Sequence, residues 1–305
     1  MAKIGVFDSG YGGLTILSAI RKALPEYDYL YLGDNARAPY GTHSFDVIYR
    51  YTLQAVQYLF EQDCALIILA CNTASAKALR TIQQKDLLLI NGDAVLNGGM
   101  MKRNVLGVIR PTVEAVPEIT KTGHVGILAT PATVSSESYV LELEKIAKSQ
   151  ELRAKSLVVT QQACPMWVPL IEAGEHNSPG AKYFVGEYLR AILAKDPQID
   201  TLVLGCTHYP LLKNEIEQWL SYHHEIEQSE FPKPVENPSV QIIAQGDLVA
   251  KSLADYLLRH PEYREQLSQG GTCTYLTTEN AERFAQAATT FIGSPVRAKS
   301  IQLGN

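Results

Sequence analysis

Short apolar runs recur along the chain at strand length, with amphipathic segments between them, and this alternation leaves few folds open. KIGVFDSG (3–10), YDYLYLGD (27–34), CALIILAC (64–71), HVGILAT (124–130), SLVVTQQ (156–162) and TLVLGC (201–206) all read as strands. Between them, LTILSAIRKALP (14–25), SFDVIYRYTLQAVQYLFEQD (44–63) and AKYFVGEYLRAIL (181–193) place apolar residues at helical spacing. Strands that are apolar throughout have both faces buried, and buried strands alternating with helices belong to parallel sheets covered on both sides. The expected class is α/β, with right-handed crossovers.

Two stretches interrupt the rhythm. QKDLLLINGDAVLNGGMMKRNVLGVIRP (84–111) carries the turn signals NGD and NGG and suits a long loop. SYHHEIEQSEFPKPVENPSVQ (221–241) reads as a polar connection with two solvated histidines.

The strands also repeat. LIILACNT (66–73) matches LVLGCTH (202–208): an apolar strand, a small residue, a cysteine, two polar residues, then a helix. IGVFDS (4–9) pairs in the same order with VGILAT (125–130). The chain therefore reads as two pseudo-symmetric α/β lobes, each a mainly parallel sheet flanked by helices. The expected division assigns 1–103 plus 213–305 to the first lobe and 104–212 to the second. Ligands of open α/β sheets bind at the carboxyl ends of strands, which predicts one active site between the lobes with Cys71 and Cys206 on opposite walls.

Both cysteines precede segments that read as helix starts. Free amide donors and the helix dipole there favour an anion, and favour thiolate over thiol. A pair of thiols suits proton transfer at carbon: one removes a proton, the other returns one, and the stereocentre inverts. Donors around the carbon stabilise the carbanion-like state, and no organic cofactor is needed. The other cysteines, Cys64, Cys164 and Cys273, read as structural, and no pair among the five has the C-x-x-C spacing of a zinc site.

Charge narrows the partners. The 305 residues carry a formal net charge of -5 and no block of lysines or arginines, which argues against nucleic acid. No apolar stretch reaches membrane-spanning length, and the start of the chain lacks a signal-peptide layout, so the cytoplasm is expected.

Beyond these readings, the chain resembles the glutamate racemases of the aspartate/glutamate racemase superfamily. The resemblance is carried, in order, by FDSGYGGLTIL (7–17), YLGDNARAPYG (31–41), LACNTASAKAL (69–79), GILATPATVSSESY (126–139), ACPMWVPLIEAG (163–174), LGCTHYPLL (204–212) and TYLTTENAERFAQ (274–286). It implies that Cys71 takes the α-proton of D-glutamate and Cys206 that of L-glutamate, with Asp8 assisting near Cys71 and His208 near Cys206. It further implies that Asp8, Ser9, Tyr40, Gly41, Asn72, Thr73, Thr133, Thr207 and His208 hold the substrate. It implies no cofactor and no metal, a homodimer, and D-glutamate supply for peptidoglycan.

Taken alone, Asp8-Ser9 also suits a turn with a helix cap, His208 a structural imidazole, and PYG a turn. The order and spacing of the motifs favour the catalytic reading. The link 89–104 is longer than the resemblance implies, and Arg110 stands where an acidic residue is common. Three rivals remain at this stage: a racemase of another acidic amino acid such as aspartate, a non-catalytic two-lobed amino-acid-binding protein, and a thiol–metal hydrolase. The last is disfavoured by the two-residue spacing of Cys206 and His208.

Overall fold

The computed structural model describes residues 1–96, 102–149, 157–230 and 240–304. The chain divides into two compact units, one formed by Met1–Pro111 with Gln245–Asn305 and the other by Thr112–Ala244. The boundaries expected from sequence, at 103/104 and 212/213, fall earlier than these. The strand that follows residue 103 pairs within the first sheet, and the strand that ends at Ile243 pairs within the second.

In the first unit, β1 (Lys3–Asp8), β2 (Tyr29–Gly33), β3 (Cys64–Leu69), β4 (Asn104–Gly107), β9 (Cys273–Thr277) and β10 (Ala298–Ser300) form one sheet in the order β10-β9-β2-β1-β3-β4. Every pairing is parallel. Apolar strands buried on both faces need helices above and below, and the chain supplies them. The helix Gly13–Ala23 turns Leu14, Leu17 and Ile20 inward at helical spacing. It ends on the basic pair Arg21 and Lys22, which suits the negative end of its dipole. The helix Gly246–Arg259 packs against it through Val249, Ala250, Leu253 and Leu257. These side chains join Ile4, Val6, Leu66 and Ile68 in one core, each fully buried aliphatic contributing about 1.5–3 kcal/mol.

The second unit repeats the plan with fewer strands. Here β5 (His124–Ala129), β6 (Val158–Ala163), β7 (Thr201–Gly205) and β8 (Gln241–Ile243) form a parallel sheet in the order β6-β5-β7-β8. The local order β2-β1-β3-β4 of the first sheet and β6-β5-β7-β8 of the second are the same path, which accounts for the sequence repeat. In each sheet the strand order reverses once: between β1 and β3, and between β5 and β7. Such a reversal opens a crevice at the carboxyl ends of the two strands. Asp8-Ser9 and Cys71 follow β1 and β3; Thr130 and Cys206 follow β5 and β7.

Two expectations are corrected. Residues 84–96, read as loop, are helical: a π-helical turn at Ile82–Asp86 leads into the helix Leu87–Leu96. The turn signal misled because Asn91 spends its amide on tertiary contacts. Its Nδ2 donates to the Arg103 carbonyl at 3.0 Å and its Oδ1 accepts from the Arg103 amide at 3.0 Å. The NGG signal at 97–99 lies outside the described residues. The start of the 221–241 stretch continues the helix Lys213–Glu230, its glutamates and glutamine being good helix formers, while 231–239 lie outside the described residues. No helix among the described residues is long and apolar enough to cross a membrane.

Asp200, at the entrance to β7, ties the second unit together. Its carboxylate accepts from the hydroxyls of Thr120 (2.6 Å) and Thr201 (2.9 Å) and from the amides of Lys121 (2.6 Å) and Thr122 (2.8 Å). Burial alone would raise its pKa, but these bonds outweigh burial and hold it below the ordinary carboxylate value. A depressed folded pKa gives stability that is present above the unfolded value of about 3.9 and is lost as pH falls through the folded one. Asp200→Asn, which sets an amide N–H2 against donors, is expected to cost roughly 1–3 kcal/mol at pH 7. The deficit should shrink as wild type and variant are both acidified through the depressed pKa of the folded carboxyl, measured by chemical denaturation followed across pH.

Candidate active site

In the first unit the site is built at the reversal between β1 and β3. Cys71, 5% exposed, is the N-cap of the short helix Asn72–Lys77, and its Sγ accepts from the Ala74 amide at 3.4 Å. A backbone N–H at the helix start therefore points at the sulfur, a kind of setting that in general favours a thiolate. Ser9 Oγ lies 3.3 Å from the same sulfur. Asp8, buried beside it, accepts the Gly10 amide on Oδ2 at 2.9 Å. Gly13 keeps Asp8 in place by leaving room: a Cβ there would lie 2.5 Å from Asp8 Cβ, a contact real side chains do not make.

Tyr40 and Gly41 sit in a 3-10 turn after β2. The Tyr40 hydroxyl donates to Asp34 Oδ2, and Asp34 is held in turn by Arg37 Nε at 2.7 Å and by Thr278 Oγ1 at 2.8 Å. Burial first, and then the Asp34 charge and hydrogen bond, push the Tyr40 phenol far above its ordinary pKa, so it remains a neutral donor committed to Asp34. Asn72 and Thr73 are buried next to Cys71, and the Asn72 amide pairs with that of Gln245.

The second unit builds its counterpart at the reversal between β5 and β7. Thr130 caps the helix Pro131–Ser135: its Oγ1 accepts the Thr133 amide at 3.3 Å and donates to the Thr133 hydroxyl at 3.0 Å. Cys206 and Thr207 are buried after β7. Cys206 Sγ lies 3.8 Å from His208 Nδ1, and His208 Nε2 lies 2.9 Å from Glu172 Oε1. Burial works to lower the His208 pKa, but the hydrogen bonds to Cys206 and Glu172 outweigh it and push the value up to about 10. The shift favours the imidazolium, the form that can turn one N–H toward the sulfur and the other toward the carboxylate.

Below this relay the packing is stiff. Trp167 meets the Tyr209 ring edge-on at 4.7 Å, and the Tyr209 hydroxyl donates to the Cys164 carbonyl at 3.1 Å. The expectation of a helix starting directly after Cys206 is corrected: a 3-10 turn, Tyr209–Leu212, comes first, and the helix begins at Lys213. Pro210 lies in the first turn, and its ring fixes φ in a way that suits the tighter start. Cys206 therefore leans on an imidazolium where Cys71 leans on a helix N-terminus.

All nine expected substrate-binding and catalytic-support residues and both cysteines fall near a strand end or, for Tyr40 and Gly41, in the turn after β2. The first unit gathers Asp8, Ser9, Cys71, Asn72 and Thr73, and the second gathers Cys206, Thr207 and His208, with Thr133 in the short helix after the neighbouring strand β5. Sequence reasoning missed Asp34, Glu172 and Gln245. Glu172 carried a signal, being the one acid in the otherwise apolar WVPLIE, 167–172. Among the described residues, no three His, Cys, Asp or Glu side chains are grouped so as to hold a metal ion.

The chain is similar to known proteins in both sequence and fold. Residues 14–226 match the family described as Asp/Glu/Hydantoin racemase. A glutamate racemase from Ruegeria sp. (strain TM1040) is 39% identical over 95% of this chain and 96% of its own length. The crystal structure of the glutamate racemase isoform RacE1 from Bacillus anthracis superposes with a TM-score of 0.79, at 28% identity, over 99% of this chain and 98% of that one. A glutamate racemase from Francisella tularensis, solved in complex with D-glutamate, gives a TM-score of 0.76 at 29% identity over 99% of this chain and 98% of that one. The chain belongs to the Asp/Glu/Hydantoin racemase family, a family of isomerases, and within it to the glutamate racemases.

Proposed function

We propose that this chain interconverts L- and D-glutamate without an organic cofactor, using Cys71 and Cys206 as the two acid/bases. The observation that carries the reading is that each sheet, at its one reversal of strand order, presents a buried thiol with a polar partner, the Ala74 amide for Cys71 and the His208 ring for Cys206. In the D-to-L direction the Cys71 thiolate takes the α-proton. The C–H electron pair is left on the α-carbon and delocalises into the carboxylate, and the Cys206 thiol gives a proton to the opposite face. Cys71 ends as thiol and Cys206 as thiolate. The return direction begins from that state, and solvent exchange of the sulfur proton resets it.

Partner chemistry supports a division of labour. Ser9 and the Ala74 amide serve the first sulfur, and the His208 imidazolium backed by Glu172 serves the second. Asp8, Ser9, Tyr40, Gly41, Asn72, Thr73, Thr133, Thr207 and His208 are assigned to substrate. Apart from Tyr40, whose hydroxyl proton goes to Asp34, they are mostly neutral hydroxyl and amide side chains, whose hydrogens can bond carboxylates and whose oxygens can accept from an ammonium, and which can stabilise developing charge at the α-carbon. The reading extends to a cytoplasmic homodimer that supplies D-glutamate for peptidoglycan.

Purified protein with no added pyridoxal phosphate is expected to racemise both enantiomers and to place deuterium at the α-position of D-glutamate in deuterated water. Binding without exchange would make it a receptor, and equal turnover of aspartate, followed by circular dichroism, would overturn the specificity. Cys71→Ser and Cys206→Ser are each expected to lower racemisation by at least about 10²–10⁴-fold. Each should retain one-sided chemistry, such as elimination of chloride from the chlorinated glutamate enantiomer that the remaining thiol deprotonates. Racemisation at the wild-type rate in either variant ends the two-base mechanism.

Glu172→Gln removes one of the groups that raise the His208 pKa from its ordinary 6.5 to about 10. The imidazolium should then lose its proton at lower pH, moving the alkaline limb of kcat/KM toward neutrality. Because the enantiomers have equal free energy, kcat/KM must stay equal in the two directions at every pH, so the shift appears in both. An unmoved alkaline limb would count against the relay.

A further inference from the structure

We propose that Gln245 is a positioning residue that fixes which way the Asn72 amide faces, and through it the binding of the amino-acid substrate. This rests on the reading above that Asn72 holds substrate.

Gln245 is the first residue of the chain's return to the first unit, and it is 2% exposed. A buried glutamine is uncommon and needs partners for its amide. It occupies the N-cap position of the helix Gly246–Arg259, yet its side chain makes no capping hydrogen bond. Glutamine is a poor cap, and the usual structural use of a polar side chain at that position is therefore not being made.

The amide is spent elsewhere. Asn72 Nδ2 donates to Gln245 Oε1 at 2.5 Å, and Gln245 Nε2 donates back to Asn72 Oδ1 at 3.2 Å. Gln245 Nε2 also lies 3.4 Å from the Val108 carbonyl. That third contact decides the orientation of the whole chain of bonds. A backbone carbonyl only accepts, so Gln245 must present nitrogen to it, and its oxygen is left facing Asn72. Asn72 must then offer Nδ2 to that oxygen and Oδ1 to the Gln245 nitrogen.

An asparagine amide has nearly the same shape either way round, so burial alone does not choose between its two orientations. The choice matters to a ligand because one end donates and the other accepts. The reciprocal pair therefore fixes which edge of the Asn72 amide carries hydrogens and which carries lone pairs. The residue adjoins Cys71 in the chain, and a flipped amide would set an oxygen where a substrate carboxylate needs an N–H.

Steady-state kinetics of Gln245→Met, with Gln245→Glu as a second variant, test this. Methionine keeps the length and volume but loses all three hydrogen bonds. Glutamate can accept from Asn72 Nδ2 but cannot donate to Asn72 Oδ1 or Val108. Both variants are expected to raise KM for both enantiomers about tenfold, the effect of one misdirected neutral hydrogen bond, with kcat changed less than about threefold. Partial unfolding does the opposite, lowering apparent kcat in proportion to the folded fraction and leaving KM alone. In an Asn72→Ala background, Gln245→Met should raise KM no further, since the group it orients is gone.

Unchanged KM in both Gln245 variants, while Asn72→Ala raises it, overturns the positioning role and leaves the reading of Asn72 intact. Unchanged KM in Asn72→Ala overturns that reading itself. A full additional rise in the double variant shows that Gln245 acts by another route and also overturns the proposal.

Discussion

The hydrogen bond from the Ala70 amide to the Phe7 carbonyl, 2.8 Å long, continues the β1–β3 ladder one step past the end of β3. It sets the height of Cys71 against Asp8 and Ser9, and the proximity of the Ser9 hydroxyl to the sulfur depends on it. A parallel ladder has one register that keeps both faces buried, so a slip by one residue would turn Cys71 to the other side of the sheet. Small residues protect this arrangement. In the second unit Gly205, paired with Ala129 at the equivalent ladder end, leaves little room for a side chain: a Cβ there would lie 3.1 Å from both Ala129 Cβ and the Leu128 carbonyl.

The two thiols are alike in place and different in support. One accepts a backbone amide, which does not titrate; the other faces a histidine, which does. The repeat copied the scaffold, strand for strand, but not the electrostatics. Glu172 explains how the second unit manages without a helix start directly after its cysteine, because a carboxylate at 2.9 Å keeps the charge on His208 against the pull of burial. The first unit needs no such group.

Most of the architecture was legible because it follows from side-chain patterning. CALIILAC and TLVLGC can only be buried strands, and the cysteine and polar residues behind them fall where strand ends deliver them. What stayed hidden depended on partners distant in sequence. Asn91-Gly92 looks like a turn until Arg103, twelve residues on, takes up the asparagine amide. Gln245 lies 173 residues from Asn72, and nothing local marks it. Asp34 and Glu172 were inside motifs already quoted, but the sequence does not say that Asp34 takes the Tyr40 hydroxyl or that Glu172 lies against His208. The boundary between units was misplaced for the same reason, since strand pairing rather than composition decides where β4 and β8 belong.

The first unit is assembled from both ends of the chain, and this governs its birth. On the ribosome, β2 emerges early with Tyr29–Gly33 ready to pair, but its neighbour β9 is translated some 240 residues later. At roughly 5–20 residues per second, that edge stands open for tens of seconds, while the middle unit, contiguous in sequence, can close first. An unpaired apolar strand is a template for other nascent chains. The same interleaving that pairs Gln245 with Asn72 thus leaves the N-terminal half with an open strand edge until the last helix-and-strand segment arrives.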